Sequence, residues 1–557
     1  MVRIAILLLC LMPVAAGLLC AILPALGWFP PLGGNHFSFQ PFVDFFAQPG
    51  LRRSICLSLS VGLLATFLSY WLAMFLLAIL YGQGRAGFLF RLISPLLSVP
   101  HITIAVGFLF LLQPSGWLSR LFSPWLTGWQ RPPNLNIVPD ENAYVLILAL
   151  IAKELPFLLL MGLSALSQIK VRPLLDTAAS LGYGSLSGWM HLVQPQLAAR
   201  LRLAVLIVMV FSISVVDMAI LLAPSTPAPL AVRILTWFRD PDLSYQFVAA
   251  AAAVMQLFCA LLACVIWVGI DKCILFVMAR LSAAGQRFSF LPSSFVAALK
   301  KGGVVLAVWP CVMACFGMLA ALIWAFADIW RYPSALPDKW GLSAWKYAYI
   351  SLGQATFNSL ILGLITAAIC VSLALLWLQT ETRESDKHAE RLIYIPLLLP
   401  QIAFLFGMQI LLIWLGFDGL FLALIWAHSL FVFPYVMLSL APTWRRFDAR
   451  YLAIAATLGA GPLRRFLSIK LAMMTLPVLT AFAVGFAVSS ALYLPTIFAS
   501  NGRVMTLTTE AVTLAAGAGR QNLGIASLMQ MALPLLVFLI CDRLARARLA
   551  RFSFFKL

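Results

Sequence analysis

Lys153 and Glu154 stand side by side in the apolar run AYVLILALIAKELPFLLL, just ahead of Pro156, and Asp217 stands in SISVVDMAILL. An ionised side chain at the centre of a spanning helix costs about 2.5–3.5 kcal/mol on insertion scales, so such groups face a partner or a wet cavity. Neighbouring residues on a helix point apart, so Lys153 does not neutralise Glu154 on one face. Two readings stay open: an interhelical ion pair such as Lys153 with Asp217, or a polar lining for a charged solute. His428-Ser429 stands at a comparable place late in the chain and keeps polarity without charge. Catalytic chemistry has no residues to use. The chain contains no GxxxxGK[ST] phosphate loop, no HExxH and no GxSxG. Its ten cysteines lie scattered through apolar segments (Cys10, Cys20, Cys56, Cys370 among them), with no CxxC and no Cys/His cluster, which reads as helix packing and as no metal site.

The elements that carry these residues follow from composition. Of 557 residues 63% are hydrophobic and only 10% charged, with a mean hydropathy of +0.99, too apolar for a soluble chain of this length. Long apolar runs exclude a membrane barrel, whose strands are short and alternating, and predict an all-α polytopic membrane protein. Twelve spans are expected, at about 4–27, 54–80, 92–112, 143–166, 203–223, 246–270, 302–326, 355–378, 393–415, 419–440, 473–494 and 522–541. An even number puts both termini on one side. If that side is the cytoplasm, most of the 38 Lys and Arg fall inside, including Arg85, Arg91, the Lys272–Lys301 group, Arg383 and the C-terminal arginines. Arg52 and Arg53 fall on the disfavoured side. The net charge of +19 is thus a topological signal, and no nucleic-acid partner is expected. The first apolar run is too long for a cleaved signal peptide and is read as a span. Trp117, Trp125 and Trp129 are expected as interface anchors.

The chain also repeats itself. LSLSVGLLATFLSYWLA (57–73) lies over NSLILGLITAAICVSLA (358–374), with Gly62 and Gly363 in register, and PHITIAVG (100–107) lies over PQIAFLFG (400–407). Trp28-Phe29-Pro30 resembles Trp330-Arg331-Tyr332-Pro333. Later, Ala152 to Leu155 pair with Ala427 to Leu430, and Met255-Gln256 with Met529-Gln530, at an offset smaller by about 25. One insertion, the loop at 113–142 opposite the turn at Phe417-Asp418-Gly419, accounts for the change. Two fused six-span repeats are expected, 1–285 and 286–557, in parallel orientation.

AASLG (178–182) and AATLG (455–459) are a further match, one in each half, in basic loops between the fourth and fifth spans. Each phrase is a short helix-forming run ended by a glycine that can adopt the left-handed conformation. In the first copy Leu174, Leu175, Leu181, Leu186 and Trp189 make an apolar face expected to be exposed for docking to another protein.

Acid-Thr-Ala, three residues, Gly, then Pro thirteen residues later resembles the EAA loop of ABC importer permeases. Asp176, Thr177, Ala178, Gly182 and Pro195 occupy the motif positions, with Asp for Glu and Thr for the first Ala; in the second copy Ala455 and Gly459 match, while Ala453 replaces the acid and Ala472 the proline. The resemblance covers essentially the whole chain, which is similar to the fused double permeases of the thiamine, ferric iron and sulfate or polyamine group, and WRYPSALPDKW (330–340) looks like the outside segment of that group. It implies the type I ABC importer fold, an EAA loop seated in each of two cytoplasmic ATPase subunits that use ATP and Mg, a periplasmic solute-binding protein, and a bacterial inner membrane with both termini cytoplasmic.

The expected function is therefore the permease subunit of a binding-protein-dependent importer of a small solute, not an enzyme, with ATP hydrolysed by a separate subunit. The competing reading is an ion-coupled secondary transporter with two six-helix halves, for which Glu154 and Asp217 would be the titratable groups. Two acids against one lysine lean toward a cationic solute, while the resemblance allows sulfate equally.

Overall fold

The computed structural model describes residues 2–81, 95–285, 293–381, 387–517 and 519–553; the expected inside residues Arg85, Arg91 and Arg383 lie outside them. Among the described residues ten helices are long and apolar enough to cross a membrane, or eleven when the bent pair Pro462–Met473 and Thr475–Ala491 counts as one span. The protein is an all-α polytopic membrane protein. Each of the twelve expected segments contains a helix, but the ninth, Gln401–Trp414, has 14 residues and falls short of a full span. Its start is fixed by Pro400, just as Pro100 fixes the start of the His101–Leu112 helix. A proline lacks the N–H an interior position needs and locks φ, so both helices begin one residue after it, and not at 393 or 92 as hydropathy predicts.

The fifth expected span of each half is broken. Gln194–Ile213 ends, residues 214–216 leave the helix, and Asp217–Leu222 starts a short new one; Thr475–Ala491 is likewise followed, after Leu492 and Tyr493, by Leu494–Ser500. The bend between Pro462–Met473 and Thr475–Ala491 is 74°. An apolar composition hides these breaks, because residues on both sides of them stay buried.

The first helix does not pack mainly on its sequence neighbours. Val2–Ala25 makes its most extensive contact with Gln401–Trp414, and Ser293–Ala325 makes its own with His101–Leu112. Glycines permit both crossings. Gly17 meets the backbone of Phe404 and Met408, and Gly407 meets Gly17; a Cβ on Gly107 would lie 2.9 Å from the Gly317 carbonyl carbon, and one on Gly317 would lie 2.6 Å from that of Gly107. Small residues let helices approach to backbone contact, where dispersion is strongest and lipid offers no competing hydrophobic drive. Gly17 and Gly317, and Gly107 and Gly407, are each 300 residues apart in the sequence.

At the end of the bundle away from the glycine-ended loops, two small antiparallel pairs follow these helices, Trp28–Phe29 with Gly34–Asn35 and Ala327–Ile329 with Lys339–Trp340. The loop at 113–142 clamps the second of these regions. Arg120, 2% exposed, donates from Nη1 to the carbonyl of Arg331 at 2.8 Å and from Nε to that of Ser115 at 2.9 Å, with its guanidinium 4.7 Å from the Trp330 ring centroid. Trp117 is buried and donates to Ala335 O at 3.1 Å, so it ties two segments together and is no free interface anchor; Trp125, by contrast, is exposed. The Arg331 backbone N–H and the Ser334 hydroxyl hold the Asp338 carboxyl below its usual range, which orders the same segment.

Candidate functional site

The two glycine-ended phrases fold alike. Val171–Ser180 ends at Leu181; Gly182 then adopts φ +80°, its N–H bonding Ala179 O at 2.9 Å while Tyr183 N–H bonds Ala178 O at 2.9 Å. Arg450–Thr457 ends at Leu458; Gly459 adopts φ +78°, its N–H bonding Ala456 O at 3.0 Å while Ala460 N–H bonds Ala455 O at 2.9 Å. This is the Schellman arrangement, which satisfies the last carbonyls of a helix and needs a residue without a Cβ penalty at positive φ. Each loop then enters a turn of π-helix, Trp189–Val193 in one and Arg465–Lys470 in the other.

Within each phrase the first alanine faces inward. Ala178 and Ala455 are buried, and a Cβ on Gly188 would lie 2.7 Å from the Ala178 Cβ, so two small residues let the short helix lie against the strand of chain that follows it. Asp176 and Thr177 are exposed, and Thr177 Oγ1 donates to Pro173 O at 2.9 Å. Pro195 is half-buried in the first turn of Gln194–Ile213. The expected exposed apolar face of the first loop is mostly covered: Trp189 is 2% exposed, Leu174, Leu175 and Leu186 are half-buried, and of the five only Leu181 stands out. Local periodicity reports which residues share a face, not what the rest of the chain lays over it. The second loop does carry such a surface, with Tyr451, Ile454, Leu458, Leu463 and Leu467 exposed and Leu458 81% so.

The buried charges separate into two groups. Lys153 Nζ donates to three carbonyls, Leu96 at 3.2 Å, Leu97 at 2.9 Å and Val99 at 2.6 Å, at the end of the short Pro95–Ser98 helix. The ammonium caps carbonyls that the helix cannot satisfy itself. It makes no ion pair with Asp217, so of the two readings the sequence left open the Lys153–Asp217 pair is not the one formed. Glu154, on the next position of Tyr144–Leu166, turns the other way and meets His101 Nε2 at 3.5 Å. Asp217 is buried at the start of its short helix, which packs on the His101–Leu112 helix. The His101 ring lies 4.6 Å from that of Phe211. From the second half of the chain, the Tyr435 ring lies 6.5 Å from that of Phe157, on the helix that carries Glu154, and Tyr493 is buried at the break before Leu494–Ser500.

His428 stands apart from this group. It is buried with both ring nitrogens occupied, Nδ1 by Ser489 Oγ at 2.9 Å and Nε2 by Thr496 Oγ1 at 3.0 Å, so it knits Phe421–Arg445 to the broken fifth segment of its half. His101, Tyr435 and Tyr493 escaped the sequence reading. A polar residue directly after the proline that starts an apolar helix was the available signal for His101; the two tyrosines have none, because aromatic residues in apolar runs are commonplace. No group of three His, Cys, Asp or Glu able to hold a metal exists among the described residues.

No known protein-family profile matches the chain, and no solved structure does. The inner membrane ABC transporter permease protein YnjC of Escherichia coli (strain K12) is 30% identical to it over 505 residues, which cover 90% of this chain and 89% of that protein.

Proposed function

The chain belongs to the ABC transporter inner-membrane permeases, and from that premise we propose that it forms the whole translocation pathway of a binding-protein-dependent importer. It is a multi-pass inner-membrane protein and a transport subunit of an ABC transporter. In this reading the two halves, 1–285 and 286–557, are one duplicated six-span unit. The loops around Gly182 and Gly459 each seat in one copy of a cytoplasmic ATPase that uses ATP and Mg, both termini are cytoplasmic, and a periplasmic binding protein delivers a small solute to the opposite end.

One observation carries the proposal: the two loops share the same helix, the same pair of terminal hydrogen bonds and the same positive-φ glycine, with π-helix following in each. Two surfaces of one shape fit two copies of one partner. The more exposed apolar residues of the second loop supply buried contact area, and Asp176 in the first supplies a charge contact that Ala453 does not. Transport in vesicles that is abolished by vanadate and indifferent to a protonophore supports the reading. The reverse pattern supports ion-coupled transport.

A further inference from the structure

We propose that Gln256 on Tyr245–Ala283 and Gln530 on Arg520–Ser553 are positioning residues that hold the two broken fifth segments at the angle transport requires; the proposal rests on the importer reading. Where a helix stops, its last carbonyls lose their intrahelical donors, and inside a bilayer no water replaces them. At the first break Gln256 Nε2 donates to Ile213 O at 2.9 Å. At the second, Gln530 Nε2 donates to Thr508 Oγ1 at 2.8 Å, and that hydroxyl donates to Ser490 O at 2.7 Å. Both glutamines are buried.

The two arrangements are one arrangement with a hydroxyl inserted. Ile213 and Ser490 are 277 residues apart, the spacing of Gly182 and Gly459, and Gln256 matches Gln530 in the repeat. The register holds in space: Leu230 N–H donates to Ser58 Oγ at 2.8 Å and Leu507 N–H to Ser359 Oγ at 2.9 Å, and Leu230 and Leu507 are again 277 apart. Ala231 therefore stands where the second half has Thr508, and both are buried. Beside the alanine the amide reaches the carbonyl directly; beside the threonine the hydroxyl relays the bond. The amide oxygens differ too. Thr103 Oγ1, from the first half, donates to Gln530 Oε1 at 3.1 Å. Ala403 occupies the position matched to Thr103, and Gln256 Oε1 has no hydrogen-bond partner among the described residues. A helix break concentrates bending in a few residues. One side-chain bond from the neighbouring span to the freed carbonyl sets the angle at which that break rests.

The test is hydrogen–deuterium exchange on the full chain in lipid nanodiscs, read on peptides covering 214–222 and 492–500, with ATP hydrolysis by the complex with its ATPase subunit measured beside it. Gln256→Leu is expected to speed exchange at 214–222 by about tenfold and leave 492–500 unchanged, and Gln530→Leu to do the reverse, since each removes one buried hydrogen bond. Thr508 separates positioning from packing. Thr508→Ala recreates the arrangement around Ala231 and is expected to stay near wild type, whereas Thr508→Val keeps the shape, blocks the amide and should match Gln530→Leu. Packing alone gives the opposite order, because alanine leaves a cavity and valine does not. ATP hydrolysis should follow the exchange order. Valine closer to wild type than alanine, or unchanged exchange at both breaks in both leucine variants, overturns the proposal, and hydrolysis that does not follow the order overturns the role in transport. If a leucine variant does not fold, the Thr508 pair carries the test. A wild-type chain that holds no ATPase subunit would sink the importer reading instead, and the exchange measurements do not depend on it.

Discussion

Lys153 and Glu154 are neighbours with opposite duties, and the geometry separates them by measurement. Removing the ammonium takes the donor from three carbonyls, two of them buried, and each unsatisfied buried group costs about 1–3 kcal/mol. Lys153→Met is therefore expected to lower the thermal midpoint of the solubilised protein markedly, more than Glu154→Gln does; equal midpoints for the two variants would contradict the capping role. The sequence showed that the two side chains point apart, since that follows from helical geometry alone, but it left the partner of each open. At the two loop glycines the expectation concerns backbone strain. A β-branched residue in the left-handed region costs about 1–2 kcal/mol, so Gly182→Val and Gly459→Val should displace the loops while the spans still insert. Transport and ATPase stimulation should fall together, and wild-type transport by both variants at equal expression would refute the coupling assignment. Asp176→Ala should cost less than either, because an exposed charge contact is weak and the second loop lacks it.

Among the elements, the crossings of Val2–Ala25 on Gln401–Trp414 and of Ser293–Ala325 on His101–Leu112 set the architecture. A methyl added to Gly107 has no room, since it would lie 2.9 Å from backbone of the facing helix, whereas Gly269 has nothing within 4 Å of the same position. Gly107→Ala should therefore destabilise by about 1–3 kcal/mol through overpacking. Gly269→Ala should instead gain up to about 1 kcal/mol from helix propensity. Paired thermal melts in one detergent check the difference, and a neutral Gly107→Ala would mean that the helices are not in backbone contact. The sequence matched Gly107 with Gly407 by register, yet assigned neither a partner: repeat periodicity aligns equivalent positions, while contact is decided by how the halves exchange helices.

The whole molecule is a single chain whose first half is completed by the second. Because Val2–Ala25 packs chiefly on a helix of the second half, and Ser293–Ala325 on one of the first, separately expressed halves should each be degraded or aggregate, and co-expression should restore a stable complex. Recovery of a monodisperse half on its own would contradict the exchange. Arg120 and Trp117 add a further tie at the far end, joining the 113–142 loop to the segment that begins at Trp330. For the assembled transporter, intact-complex mass measurement should give one permease chain with two ATPase subunits. Two permease chains would show that the duplication does not supply both halves of the pathway.

What the sequence determined by itself is what short-range rules govern. Runs of about twenty apolar residues need no partner to be read as helices, the glycines at 182 and 459 mark helix ends because only positive φ closes the Schellman bonds there, and the matched phrases aligned the halves. The tertiary structure decided the rest. It broke the fifth segments at 214–216 and after Ala491, it covered Trp189, it turned Lys153 onto three carbonyls, and it set His101 against Glu154 from another helix. The physical reason is the same in each case: in an apolar bundle nearly every residue satisfies the local pattern, so which polar group meets which is fixed by the crossing of helices distant in sequence, and no local spacing encodes that crossing.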